Sequence, residues 1–374
     1  MAFITASFYF FYFSIVAVYI IFMPKVLETV GYSPSEIGIL FAAAPLVRFA
    51  IPFLFLKYFS FTPKVFNTAL VLTLFASLLF HPFLEHFYLL MFANIALGVG
   101  MSLVIPYVES VALSYMPKES YGKIRLFGSI GFILVSLVLV QFLSSPTNAL
   151  LFLNVSALLT LVFGLLISQY ERANAKEELH STKAFSLLRH WPLWLSLFLM
   201  QVAFGGFYNF FTIYASSYEI GISHWGISSM DMTIYLWSFG VICEVFMLYF
   251  QAPLLRNNLL RVLQFSVGIT VLRWLLLAGF PENIWLLFLS QSIHAFSFAL
   301  YHSAAIMYLH SLYSNKKLSQ QFFAGIAYGL GGFIGAMGSG FIYEISTQGL
   351  YIVASFITFV SFIFLSLESR RTSA

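Results

Sequence analysis

Of 374 residues, 60% are hydrophobic, 19% aromatic and only 9% charged, whereas soluble domains carry about a quarter charged residues. That balance excludes a disordered chain, a nucleic-acid binder and almost any soluble enzyme, because 45 Phe against 14 acidic residues leave a surface that lipid must cover. The single Cys243 excludes an intramolecular disulfide and a thiolate metal site, and no cofactor is expected.

Each crossing needs roughly 20 apolar residues, and the chain supplies twelve such runs. It reads as an all-α polytopic membrane protein without a sizeable soluble domain. The first run, 3–23, lacks a basic leader and a small-residue cleavage signal, so a retained helix is expected rather than a signal peptide. Ser33-Pro34-Ser35-Glu36 opens the second, 36–57, as a capping box with Pro at the first helical position, which makes Glu36 a structural acid. Spans at 64–82, 87–114, 121–143 and 149–169 follow. The one long polar gap, Tyr170 to His190, carries Glu171, Arg172, Lys176, Glu177, Glu178 and Lys183. It divides the chain into a first six-helix bundle (1–170), a cytoplasmic linker (171–190) and a second six-helix bundle (191–374). The second bundle holds spans at 191–215, 230–250 with Asp231 at its start, 259–279, 283–311, 319–343 and 349–367.

Basic residues stay preferentially on the cytoplasmic side. With the N-terminus placed inside, fifteen of the eighteen Lys and Arg fall in cytoplasmic gaps or at the C-terminal end, and Lys25 alone falls in the opposite ones. A miscounted helix would scramble that alternation, so both termini are expected in the cytoplasm. The net charge of +4 therefore reports topology, not an anionic partner. The halves also echo each other. Ser7-Phe8-Tyr9-Phe10-Phe11 is similar to Gly206-Phe207-Tyr208-Asn209-Phe210, and Gly31-Tyr32-Ser33 is similar to Gly221-Ile222-Ser223. Half-molecule repeats of this kind characterise secondary transporters, whose solute site lies near the midplane.

An ionisable group at membrane depth costs about 2.5–3.5 kcal/mol, so it must pair or face a wet cavity. Glu244, about 20 Å from the outer end of its span, and His294, about 17 Å from the same side, share the bilayer middle at 1.5 Å per residue. Arg273 lies about 10 Å below that surface and can reach inward. An acid, a base and an imidazole on three successive spans either form a fixed salt bridge or link a titrating group to cavity opening. His302 belongs to the same set. In the first half, Glu109 lies three residues beyond Pro106, which is expected to loosen the helix. Arg125 near the start of the fifth span either grips a polar solute with Glu109 or snorkels to the cytoplasm. Arg48, mid-span, either faces the cavity or pairs with Glu109. Tyr9, Tyr208 and Asn209 are candidates to line a solute cavity.

Glycines 329, 331, 332, 335, 338 and 340 lack the preceding strand of a nucleotide loop. The spacing Gly331/Gly335/Ser339 predicts close helix packing instead. His294 and His302 have no Cys or carboxylate at ligand spacing, and a metal is not expected.

Tyr121-Gly122-Lys123-Ile124-Arg125-Leu126-Phe127-Gly128-Ser129-Ile130-Gly131-Phe132 resembles the fifth-helix signature of the phenylpropionate-permease-like branch of the major facilitator superfamily. That branch is related to lactose permease and the nucleoside–proton symporters. Tyr235 to Val241 with Glu244, Leu272-Arg273-Trp274, Gln291-Ser292-Ile293-His294 with His302, and Gly340-Phe341-Ile342-Tyr343 resemble its eighth to eleventh helices. The resemblance implies that Pro106-Tyr107-Val108-Glu109 and Arg125 match the solute-binding carboxylate and arginine. It likewise implies that Glu244, Arg273 and His294 match a proton-coupling network. Two departures stand out. Ser297 occupies the place of the permease's proton-carrying carboxylate, and the loop from Lys57 to Lys64 lacks the superfamily's Asp and Gly. The implied function is proton-coupled symport of a small organic solute by alternating access in the inner (cytoplasmic) membrane, with a uniporter or exporter of the same fold as the alternative. The solute is an aromatic acid, a sugar or a nucleoside, the lipid bilayer is the surrounding partner, and a monomer is expected. A membrane sensor or membrane enzyme is the other class; neither an appended domain nor a catalytic cluster is visible for it.

Overall fold

The computed structural model describes every residue except 33, 59–60, 142–145, 175–185, 219–228, 257 and 374. The cap Ser33, the linker residues Lys176, Glu177, Glu178 and Lys183, and the Gly221-Ile222-Ser223 echo therefore lie outside the described residues. Everything described is helix or short connection, as an apolar chain requires where lipid offers the backbone no hydrogen-bond partner. Among the described residues nine helices are long and apolar enough to cross a membrane, and two shorter apolar segments lie at Ile39–Phe55 and Tyr235–Phe250.

In chain order the helices are α1 (Ala2–Ala17), α2 (Met23–Val30), α3 (Pro34–Lys57), α4 (Pro63–Phe83), α5 (Phe87–Tyr115), α6 (Lys118–Gln141), α7 (Pro146–Asn174) and α8 (Trp191–Ser217). Then come α9 (Ser229–Phe250), α10 (Ala252–Leu255), α11 (Leu259–Gly279), α12 (Ile284–His294), α13 (Tyr301–Leu312), α14 (Lys316–Phe323), α15 (Gly332–Ile345) and α16 (Thr347–Ser373). Side-chain caps set several starts. The Thr62 hydroxyl accepts from Val65 N at 3.4 Å ahead of Pro63. Asn258 accepts from Leu260 N at 3.1 Å and Arg261 N at 3.2 Å, and Asn283 from Trp285 N at 3.1 Å. These satisfy N–H groups that the first turn leaves orphaned. Gly31, at φ 108, stops α2, and the Gly31 and Tyr32 amides both return to the Leu27 carbonyl, the left-handed cap that glycine permits. Glu36 stands in the first turn of α3.

The chain forms two compact units. The first comprises Met1–Ala184 with His310–Gly325, the second Phe185–Leu309 with Ile326–Ala374. In the first unit α1 packs on α6 and α7, and α4 on α5 and α7. The α1–α6 contact depends on Gly131, where a Cβ would lie 2.2 Å from the Phe10 carbonyl oxygen. In the second unit α11 and α8 pack on α16, α15 on α8, and α9 on α12. The predicted small-residue packing is present here. A Cβ on Gly331 would lie 2.8 Å from the Phe198 carbonyl oxygen, and one on Gly335 would lie 2.6 Å from that of Val202.

Two local features were not foreseen. Widened π-helical turns run over Val18–Phe22, Ala295–Leu300 and Ala324–Gly331, continuous with the helices on either side; such turns are frequent at functional positions. And α5 stays one helix from Phe87 to Tyr115 across the turn that Pro106 loosens. Proline removes the N–H that would meet the Ser102 carbonyl, and this carbonyl accepts instead from Gln321 Nε2 of α14 at 3.4 Å. The next residue, Tyr107, stacks on Phe66 with ring centroids 4.0 Å apart and donates its hydroxyl to Glu171. Glu171 also pairs with Lys317 of α14, whose ammonium lies 4.5 Å from the Tyr107 ring. A break in the α5 backbone ladder thus becomes the docking point for α14.

Candidate functional site

The ionisable residues picked out within the apolar runs gather in one cluster in each unit. In the first, Glu109 on α5 is 3% exposed and Arg125 on α6 is 4% exposed, so Arg125 does not reach water. Its guanidinium lies 4.0 Å from the Phe13 ring centroid and 5.3 Å from that of Tyr9. Tyr9 feels the charges of both Glu109 and Arg125, and Tyr12 those of Arg48, Glu109 and Arg125. Arg48, on α3, thus belongs to the same electrostatic neighbourhood. Cation–π contact is worth about 2 kcal/mol or more when desolvated, which offsets part of the cost of holding Arg125 away from water.

In the second unit Glu244 on α9 faces His294 at the end of α12, with Oε2 and Nε2 3.8 Å apart. That is beyond hydrogen-bond range and within ion-pair reach. Arg273 on α11 is fully buried. It donates from Nη1 to Ser297 Oγ at 3.2 Å, while Nε and Nη2 have no hydrogen-bond partner among the described residues. Around it stand aromatic faces: Phe207 at 4.1 Å, Trp274 at 4.7 Å and Phe204 at 5.5 Å from the guanidinium carbon. Trp274 is fixed in turn by its indole N–H donating to Thr358 at 3.0 Å. Tyr208 feels both Arg273 and Glu244, and its side of α8 is open, at 42% exposed. Asn209 donates to the Gly205 carbonyl at 2.8 Å within its own helix.

His302 continues the line from His294. The His294 and Phe298 rings stack at 5.3 Å with an interplanar angle of 6°, Phe298 and His302 follow at 6.3 Å, and His302 Nδ1 meets the Tyr328 hydroxyl at 2.8 Å. Both partners of that last contact lie at π-helical segments, His302 just after Ala295–Leu300 and Tyr328 within Ala324–Gly331. Among the described residues no group of three or more His, Cys, Asp or Glu gathers in a metal-holding cluster.

Ser297 and the aromatic shell were missed from sequence. Ser297 had drawn notice only as a place where a carboxylate is lacking; it is the acceptor that holds Arg273. Phe204 carries no sequence signal; Phe207 in the half-repeat and Trp274 beside Arg273 are visible in the sequence, but nothing there shows that their faces enclose the guanidinium.

The sequence model of the MFS_1 like family matches residues 3–353. A probable 3-phenylpropionic acid transporter of Escherichia coli (strain K12) is 27% identical over 366 residues, covering 93% of each chain. Among solved structures, that of the nucleoside transporter NupG superposes with a TM-score of 0.67 at 17% identity, over 98% of this chain and 99% of that one. That of the human organic anion transporter MFSD10 reaches 0.75 at 13% identity, over 97% of this chain and 98% of that one.

Proposed function

The chain belongs to the MFS_1 like family and is a multi-pass membrane transporter of the major facilitator type, and we propose that it moves a small organic solute together with a proton by alternating access. The solute class favoured is an aromatic acid similar to a phenylpropionate, with a sugar or a nucleoside as the alternatives. One observation carries this reading: a buried guanidinium, Arg273, held among aromatic faces, in the same unit as a carboxylate–imidazole pair, Glu244 and His294. Aromatic faces suit a planar hydrocarbon body, and a guanidinium suits a carboxylate through paired N–H donors. The relative that carries 3-phenylpropionic acid in its name supports the same class. Within the first unit Glu109 and Arg125, with Tyr9, are proposed as solute contacts, and Arg48 adds positive charge there. Within the second unit Tyr208 and Asn209 are proposed as further contacts, and His302 extends the coupling group.

Charge balance gives the coupling a physical basis. With Arg273 charged and Glu244 ionised the cluster sums to zero. A carboxylate solute adds one negative charge, and one proton taken up by the Glu244–His294 pair restores neutrality. Since each uncompensated charge at membrane depth costs about 2.5–3.5 kcal/mol, the doubly loaded form is the one favoured to reorient. In the same proposal the chain crosses the inner membrane twelve times, as six-helix bundles over 1–170 and 191–374 with both termini cytoplasmic, and works as a monomer. The distribution of Lys and Arg among the gaps supports that topology.

The test is uptake of 3-phenylpropionate into proteoliposomes, above the level in protein-free liposomes, with pH gradient and membrane potential imposed separately. A carboxylate moving with one proton carries no net charge, so accumulation is expected to follow the pH gradient and to ignore an interior-negative potential. A sugar or nucleoside moving with one proton would respond to both. Uptake that ignores the pH gradient contradicts proton coupling.

A further inference from the structure

Gln291 lies on α12 one turn before His294, and no role has been given to it so far. It is fully buried, at 0% exposed. Neither amide atom, Nε2 or Oε1, has a hydrogen-bond partner among the described residues. An amide withdrawn from water without partners costs about 1–3 kcal/mol, so its place in a well-packed seam calls for a reason.

The seam shows one. Gln291 faces Gly240 of α9, where a Cβ would lie only 3.1 Å from Gln291 Oε1. One turn along the same two helices, Glu244 faces His294 at 3.8 Å. The two contacts are successive rungs between α9 and α12. In one rung an acid meets an imidazole; in the other an amide with unspent donors and acceptor meets bare backbone. Glycine at 240 leaves the amide room that any side chain would fill. Trp237, three residues before Gly240 on α9, packs on Phe207 with ring centroids 4.5 Å apart, and Phe207 is the face nearest Arg273. The α9 segment that the amide faces thus carries Glu244 one turn to one side and Trp237, which packs on the aromatic shell of Arg273, one turn to the other.

We propose that Gln291 is a specificity-determining residue that hydrogen-bonds an oxygen of the solute's polar head, its amide N–H groups donating to a carboxylate or carboxyl oxygen. This rests on the reading of the second-unit cluster as a solute site. A site built to hydrogen-bond a solute group rejects analogues lacking that group far more strongly than an apolar pocket rejects an extra methylene. Gln291 supplies such a group where Arg273 supplies charge.

The experiment compares Gln291→Leu, Gly240→Ala and Arg273→Lys with the unaltered protein, measuring pH-driven uptake of 3-phenylpropionate and the thermal midpoint of the purified, solute-free protein. Leu is close in size and removes only the polar atoms. If the amide serves the solute, Gln291→Leu raises the KM at least tenfold with Vmax within a factor of about two, while the solute-free midpoint holds or rises by roughly 1–3 °C because an unsatisfied amide is gone. Gly240→Ala, which intrudes on the amide without touching Glu244, raises the KM in the same direction and keeps the inference testable should the first variant fail to fold. A Gln291→Leu protein with unchanged KM, or one with a lowered midpoint and unchanged KM, overturns the proposal; the second result would mark Gln291 as a packing residue. If the Arg273→Lys protein loses affinity while Gln291→Leu does not, the inference fails and the solute site stands. If none of the three changes affinity, the solute-site reading itself falls, and the inference with it.

Discussion

At the scale of single residues, the molecule spends its few charges sparingly. Arg125 is enclosed with Phe13 and Tyr9 beneath its planar guanidinium, an arrangement a lysine cannot reproduce. Lysine keeps the charge but loses both the flat stacking surface and the paired donors. Arg125→Lys is therefore expected to weaken solute binding at least tenfold, about 1.4 kcal/mol, as read by the solute-dependent shift of thermal stability. Unchanged affinity would mean that Arg125 serves the fold alone. These residues were legible in the sequence because an ionisable group inside an apolar run stands out. Glu109, Arg125, Glu244, Arg273, His294 and His302 are all 9% exposed or less. Their partners were not legible. Ser297 and Gln291 are ordinary polar residues until the neighbouring helix is in place, and Phe204 disappears among 45 phenylalanines.

At the scale of helices, apolar runs and caps located most elements to within a few residues: 87–114 was expected where α5 covers Phe87–Tyr115, and 259–279 where α11 covers Leu259–Gly279. Pro106 marks the loosened turn, but not what receives the carbonyl it frees. Gln321 does so from far along the chain, and no local pattern predicts that. The π-helical turns were equally invisible, since an added residue per turn leaves no compositional mark. Helix packing through Gly331 and Gly335 could be read from their spacing, but the partner surface, Val202 and Gly205, could not. The packing makes a sharp contrast between neighbouring glycines. A methyl on Gly335 meets the Val202 carbonyl oxygen at 2.6 Å and the Gly205 Cα at 3.1 Å, whereas one on Gly338 meets nothing within 4 Å. Forced overpacking against backbone costs about 1–3 kcal/mol, while alanine is the better helix former where it fits. Gly335→Ala should lower the unfolding midpoint by roughly 2–8 °C and Gly338→Ala should leave it level or raise it. Equal midpoints would show that α8 and α15 are not held in this close contact.

At the scale of the whole molecule, low charge content has two consequences. Most basic residues fall in the gaps between apolar runs, and the few buried ionisable groups gather in one cluster in each unit. The central polar gap between Tyr170 and His190 is plain in the sequence. What the gap could not reveal is that residues 310–325, distant in sequence from the first unit, belong to it by contact. There α14 is held through Lys317, Glu171 and Tyr107. In the proposed solute site the discriminating groups are the aromatic shell of Arg273 and the amide of Gln291, single side chains that a hydropathy pattern averages away. Coupling belongs to the complete transport cycle and not to one contact, and it distinguishes this account from facilitated diffusion on the same fold. In the proposed cycle the coupled proton is taken up at the Glu244–His294 pair. The direct measurement is transport of 3-phenylpropionate by Glu244→Gln in proteoliposomes, comparing accumulation driven by a pH gradient with counterflow exchange at equal pH on both sides. Driven accumulation is expected to be lost while exchange continues at a comparable rate; accumulation as strong as that of the unaltered protein would mean that Glu244 does not couple the proton.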